Sequence, residues 1–186
     1  MNRKLQRKEL RKQKDFMKVY EPVHENFARF CQARAYRVMS YEDLINESVL
    51  RAYQNWDNIK EKDKLLYYLF GTARNIVLNT IRKKSELSLE NEMEETSIIS
   101  VATNEGELSM EVEFLYEQMD KLSDTKKEAL ILFEISGFSI KEIAELHDSS
   151  EGAVKVMLSR ARRELKKLLE DEPRHIEQSL VETMEQ

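Results

Sequence analysis

Lys155, Ser159, Arg160, Arg162, Arg163, Lys166 and Lys167 recur along the polar side of one stretch, EGAVKVMLSRARRELKKLL. Their chemistry is that of cations and a hydroxyl placed to meet phosphates and base edges. Such a set can read a major groove only if a helix holds it in line and a preceding element fixes where that helix begins. Both are written into the chain. Ser139 and Glu142 stand at capping-box spacing, which predicts a short helix carrying Ile140, Ile143, Ala144 and Leu146 on one face. Ser150 is a second N-cap residue, before the apolar series Val154, Leu158, Ala161, Leu165 and Leu168. Upstream, Ala129, Leu130, Leu132 and Phe133 form a third helical face, closed by Gly137. Residues 122–169 are therefore expected to form a helix-turn-helix of about fifty residues, within the usual size of the motif. A solvated surface can also be rich in Lys and Arg; the capped turn ahead of this face is what points to DNA.

A second group of cations lies with aromatic residues. Lys60, Lys62 and Lys64 are spaced by two in a polar loop, 57–64, and LLYYLFGTARNIVLNTIRKK follows. Tyr67, Tyr68 and Phe70 precede Arg74, Asn75, Asn79, Arg82, Lys83 and Lys84 on a predicted helix. Rings that stack on splayed bases, beside cations that meet the backbone, suit single-stranded DNA. Leu65, Leu66, Leu69, Ile76, Val77 and Ile81 alternate with them at core spacing, so at least one of the three rings is expected to be structural. A strong helix is predicted over 41–56, capped by Ser40, with Ile45, Val49, Ala52, Tyr53 and Trp56 as its core stripe. Its other side carries Asp43, Asn46, Glu47, Leu50 and Arg51, a solvated face or a docking surface, with Leu50 favouring docking.

These helices must be held by a chain of 186 residues that is 41% hydrophobic, with four Gly and two Pro, which predicts an all-α protein of two small helical domains. The net charge of −5 hides a sorting of charge along the sequence. Residues 1–14 carry +6, residues 15–84 carry +3, residues 85–120 carry −11 with no base, residues 121–169 carry +2, and residues 170–186 carry −5. The acidic stretch has few large apolar residues and reads as a linker, or as a mimic of nucleic acid in a partner's basic channel. The expected organisation is a basic extension at 1–14, a first domain at 15–84, an acidic linker at 85–115, a second domain at 116–169 and an acidic tail at 170–186. Cys31 is the one cysteine, so no disulfide can form within the chain, and a small buried hydrophobe is its expected role. His24, His147 and His175 have no ligand spacing with Cys31 or each other, and there is no Gly-rich phosphate loop; no metal, cofactor or catalytic site is expected. No apolar run reaches the roughly 18 residues of a membrane span, so a cytoplasmic protein without membrane insertion is expected.

In order along the chain, YEDLINESVLRAYQN resembles region 2.2, YLFGTARNIVLNTIRKK resembles region 2.3–2.4, and FSIKEIAELHDSSEGAVKVMLSRARREL resembles region 4.2 of the bacterial extracytoplasmic-function (ECF) sigma factors. The ordered set covers about two thirds of the chain, with an acidic linker between. The resemblance implies a monomeric factor that binds core RNA polymerase, recognises −10 and −35 promoter elements and aids melting. By the same resemblance, Asp43, Asn46, Glu47, Leu50 and Arg51 dock on the β′ clamp coiled coil, and the second domain meets the β flap. Asn58, Lys60, Lys62, Lys64, Tyr67 and Tyr68 take a base flipped from the −10 element, while Arg74, Asn75, Asn79, Arg82 and Lys83 hold the upstream edge of the melted DNA. Ser150, Glu151, Lys155, Val156, Ser159, Arg160, Arg162 and Arg163 face the −35 element. The linker threads toward the active-site cleft. Members of the family are often held inactive by an anti-sigma protein clamped between the domains.

Three departures from the pattern bear on specificity. Asp148 stands where the turn usually has Gly, and Ser149 follows it in place of an apolar residue. Lys155, Val156 and Met157 replace a K-S-R triplet, which removes a charge and a hydroxyl from the groove side and leaves Val156 to pack on a thymine methyl. The extension MNRKLQRKELRKQK has no counterpart in the short family pattern and reads as a disordered solubilising tail rather than an extra contact. A free-standing helix-turn-helix regulator is the alternative for 122–169, but it leaves 41–84 and the linker without a role. The two separate on one property: a sigma factor needs polymerase to engage its promoter, and a regulator binds its operator alone.

Overall fold

Ser40 opens the helix that organises the first domain. Its hydroxyl accepts from the Asp43 backbone N–H at 3.4 Å, and Glu42 and Asp43 place negative charge in the first turn. The structure, a computed structural model, describes residues 3–90 and 109–171. Among them the helices are α1 (Arg3–Tyr20), α2 (His24–Ala35), α3 (Tyr41–Gln54), α4 (Leu65–Glu90), α5 (Met110–Asp120), α6 (Asp124–Leu130), α7 (Ile140–Leu146) and α8 (Glu151–Asp171). Among the described residues the regular elements are all helical, with turns and loops between them and no strand. The linker stretch 91–108 and the tail 172–186, with Leu180 and Val181, lie outside them.

In the first domain α3 packs on α2 and α4, and α1 lies across the end of α3. The buried face of α3 is centred on Leu44, Ser48 and Ala52, with Trp56 just beyond its end, while Ile45, Val49 and Tyr53 are only half-buried. Ala52 and Trp56 lie in both the predicted stripe and the buried face, and Ile45, Val49 and Tyr53 pack along its edge, so the real face is turned from the predicted one by about a quarter turn, at 100° per residue. Trp56 is fixed by Phe16, ring centroids 5.2 Å apart and edge to face, and Tyr53 meets the same ring at 5.4 Å. Such contacts add about 0.5–1.5 kcal/mol each beyond burial. Phe27, Phe30 and Phe70 form a second aromatic cluster, at 5.9 and 4.4 Å. Phe70 is therefore core, whereas Ile81, expected in the core, is 42% exposed. Cys31 is fully buried, and burial pushes its thiol well above the usual range.

In the second domain α6 continues through a wide turn over Ile131–Ile135, where the Ser136 N–H reaches the Ile131 carbonyl at 2.9 Å, and Gly137 ends it at φ +73°. The Ser139–Glu142 capping box starts α7: the Glu142 N–H donates to the Ser139 hydroxyl at 3.2 Å, and the Ser139 N–H donates to the Glu142 carboxylate at 2.8 Å. Asp148 adopts φ +47°, and the Ser149 and Asp148 N–H groups close on the Ala144 and Glu145 carbonyls at 2.9 and 3.3 Å. Asp148 thus takes the left-handed position of a Schellman ending, where Gly is the usual choice. The turn holds without glycine. Val154, Leu158 and Ala161 bury one face of α8 against α6 and α7.

Helices run across three of the expected boundaries. A disordered tail is expected over 1–14, yet α1 begins at Arg3 and runs unbroken into the core residue Phe16. The acidic linker is expected to begin at 85, yet α4 continues to Glu90, and α5 starts at Met110 inside the range expected to be linker.

Candidate functional site

The polar face of α3 is laid out by the burial of its opposite side. Asp43, Asn46, Leu50 and Arg51 are exposed, Glu47 is half-exposed, and Arg51 pairs with Glu47 one turn away. Leu50 is 54% exposed, an apolar side chain among four polar neighbours.

Beyond α3 the chain forms an open cleft of about 740 Å³ lined by Asn55, Asn58, Lys60, Lys64, Tyr67 and Tyr68 among others. Asn55 Nδ2 donates to the Tyr68 hydroxyl at 3.0 Å, and Asn58 Nδ2 donates to Asn55 Oδ1 at 2.7 Å, so the amides hold one tyrosine in place. Lys62 stands over the Trp56 ring, 4.7 Å from its centroid, and Lys64 pairs with Glu61 at 2.9 Å. Lys60 is exposed. The expected loop residues are thus brought to one cavity, with a single exception: Lys62 turns onto Trp56. Along α4, Asn75, Asn79, Arg82 and Lys83 are exposed, with Arg82 3.8 Å from Glu86.

Tyr67 and Arg74 have a different setting, because the second domain lies against them. Phe138 meets Tyr67 edge to face at 5.6 Å and Phe70 at 4.8 Å. Glu142 hydrogen-bonds the Tyr67 hydroxyl, and this bond, after burial, raises the tyrosine's pKa. Glu145 and Leu146 of α7 form the cleft's far wall. Arg74 Nε sits 3.0 Å from Glu128, whose side chain is 2% exposed. Burial raises the Glu128 carboxyl, opposed by Arg74 and Arg34. Arg34, itself 2% exposed, pairs with Asp124; Arg37 pairs with Glu117, and Tyr36 packs on Tyr116 at 5.4 Å. Sequence reasoning does not find these domain-to-domain residues. Two signals for them were present: Glu128 lies on the same face as Leu132, one turn on, and Arg34 sits in the small-residue run CQARA.

On α8, Ser150 caps the helix, accepting from the Ala153 N–H at 3.1 Å. Glu151, Lys155, Val156, Ser159, Arg160 and Arg163 are exposed on the side away from Val154, Leu158 and Ala161. Val156 is 49% exposed, so the departure from the family triplet falls on the open face. Arg162 is drawn aside: it pairs with Glu134 at 2.7 Å and stands 5.1 Å over the Phe133 ring. Among the described residues no group of His, Cys, Asp and Glu could hold a metal ion, and no helix is long and apolar enough to cross a membrane.

Two helical bodies, one with an aromatic and basic cleft and one with a basic helix-turn-helix, define a DNA-binding protein of bipartite type. Comparison with known proteins gives its kind. Residues 19–86 match the Sigma-70 region 2 model, and residues 115–165 match the Sigma-70 region 4 model. The chain is 30% identical to the ECF RNA polymerase sigma factor EcfG of Rhodopseudomonas palustris over 132 residues, covering 69% of this chain and 70% of that one. It is also 30% identical to SigM of Bacillus subtilis over 155 residues, covering 81% and 92%. Its fold matches the sigma factor RpoE of Bartonella quintana, solved in complex with the anti-sigma factor NepR, with a TM-score of 0.67 and 25% identity over 86% of this chain and 99% of that one. The chain belongs to the ECF RNA polymerase sigma factors. It acts in promoter-directed initiation of transcription, as a sigma subunit rather than a free-standing regulator.

Proposed function

We infer that the α3 face of Asp43, Asn46, Glu47, Leu50 and Arg51 docks on the β′ clamp coiled coil of core polymerase, and that the second domain meets the β flap. The observation that carries this reading is Leu50: a large apolar side chain 54% exposed at the centre of a polar face suits a protein partner better than water or DNA. The cleft beside Tyr68 takes a flipped base of the non-template −10 strand, with Asn58, Lys60 and Lys64 near the backbone. Asn75, Asn79, Arg82 and Lys83 hold the upstream edge of the bubble, and α8 places Lys155, Val156, Ser159 and Arg160 in the −35 groove. Flipping costs a few kcal/mol, which stacking at about 1–3 kcal/mol per base offsets.

Phe138 and Glu142 cover Tyr67, and Glu128 holds Arg74 in an ion pair, so Tyr67 reaches DNA, and Arg74 is freed for it, only after the second domain moves away from the first. Docking on two separated polymerase surfaces supplies that separation. An anti-sigma protein, the kind of partner bound in the Bartonella complex, would hold the two domains together instead. The protein works in the cytoplasm, where polymerase is.

Glu47→Lys reverses charge on the docking face without touching the core. The variant is expected to lose core-polymerase binding in a fluorescence titration while its helicity and melting temperature stay unchanged. Retained binding overturns the docking assignment.

A further inference from the structure

The sequence begins with a strongly basic stretch, and the structure turns it into an ordered surface. Arg7, Arg11, Lys14 and Lys18 fall at i, i+4, i+7 and i+11 of α1, all exposed, on the side opposite the buried Phe16. At 1.5 Å per residue the stripe is about 16 Å long. No acidic side chain pairs with Arg7, Arg11, Lys14 or Lys18 among the described ion pairs. Of the helix's own acids, Asp15 lies to one side of the line, and Glu9 is engaged elsewhere, accepting from the Tyr53 hydroxyl at 2.5 Å.

The helix is also held in place. Lys12 pairs with Asp57 at 3.5 Å and lies over the Tyr53 ring, 5.0 Å from its centroid, and Phe16 packs on Trp56. Trp56 also carries Lys62, so α1 and the basic loop of the cleft meet on one ring. The helix that carries the stripe therefore packs beside the loop assigned above to the −10 element, with the stripe on its outer, solvent-facing side. Only the last two residues of α1 fall inside the region 2 match, which starts at 19.

We propose that the stripe Arg7, Arg11, Lys14 and Lys18 binds the sugar-phosphate backbone of promoter DNA beside the −10 element; this rests on the promoter-binding reading above. Four cations in line with no acid in the row complement a polyphosphate, and they contact no base, so the contribution is independent of sequence. A protein partner would call for an apolar or aromatic centre within the row, as Leu50 supplies on α3; the row itself holds none, and Leu10, 53% exposed, stands to one side of it. A membrane surface would call for an apolar face, and that of α1, Phe16 and Tyr20, is already buried in the domain.

The test uses full-length protein in holoenzyme with a promoter fragment, measured over a salt series. Exchanging all four residues together for Gln (R7Q/R11Q/K14Q/K18Q) is expected to lower the slope of log K against log salt by about 2–4, at about 0.9 for each phosphate no longer neutralised. The weakening is expected to be equal on matched and mismatched −10 sequences, with core-polymerase affinity and melting temperature unchanged. Arg7→Lys with Arg11→Lys, which keeps the charge, is expected to retain the wild-type slope. An unchanged slope in the Gln variant makes the stripe a solvated face and overturns the proposal. A fall in core affinity instead makes the partner polymerase and also overturns it. Failure of the underlying reading shows separately, as wild-type holoenzyme that does not bind the promoter at all.

Discussion

Arg74 Nε of the first domain and the Glu128 carboxylate of the second lie 3.0 Å apart, the Glu128 side chain 2% exposed and the Arg74 side chain 39%. That asymmetry decides which partner matters more. Removing Arg74 leaves a buried charge with only Arg34 and His147 near it, whereas removing Glu128 leaves a cation that already reaches water. Arg74→Ala is therefore expected to destabilise the protein by about 2–3 kcal/mol, below the usual range for a broken buried pair because Arg34 remains, and Glu128→Gln by about 1 kcal/mol or less. Denaturant unfolding of the two variants checks the order; equal costs contradict it.

Phe138 is the apolar counterpart of that pair, 6% exposed and in contact with Tyr67 and Phe70. Phe138→Ala is expected to weaken the domain contact by about 3 kcal/mol. The radius of gyration from solution scattering is expected to rise while helicity is kept. An unchanged radius contradicts the role given to this ring.

His147 adds a pH dependence. Its Nε2 is 3.7 Å from Glu128, and burial, with the Arg74 charge nearby, holds its pKa below the usual imidazole value of about 6.5. The unfolded chain then binds the proton first, so this group's contribution is complete above about pH 6.5 and is lost as pH falls through the depressed folded value. Glu128 acts in the opposite sense, since its raised carboxyl makes acidification favour the folded state. His147→Gln isolates the imidazole: the stability of wild type relative to this variant is expected to drop as pH is lowered from 7 towards 5. A difference that stays flat with pH contradicts the assignment.

On α8, Lys155 stands exposed in the proposed reading face beside Val156. Lys155→Ala is expected to cost about 1–3 kcal/mol on the cognate −35 sequence and to relax preference at one position. Equal weakening across all −35 variants makes it a phosphate contact.

The second domain was the more legible half. Its capping box, both N-caps, the Gly137 ending and the α8 core face were all readable, because each is a local device between residues a few positions apart. The α3 face is only partly legible: Ala52 and Trp56 fall in the expected stripe, but the face turns toward Leu44 and Ser48, and Ser48 is a small polar residue buried by its neighbours rather than by its own hydropathy. Helical order in α1 is not legible locally, because it comes from contacts of Phe16 and Lys12 with Tyr53 of α3 and with Trp56 and Asp57 just beyond it. The contacts that cover Tyr67 and hold Arg74 were equally invisible: they join residues tens of positions apart through ion pairs and rings that no spacing announces.

The central claim is that this chain directs polymerase to promoters, and transcription in vitro with core polymerase and a promoter library tests it most directly. Discrete transcripts that need both the protein and core enzyme, from templates sharing one −10 and one −35 sequence, are the predicted result. Stable binding of the protein alone to an operator, with no transcripts added to those of core enzyme, would contradict it.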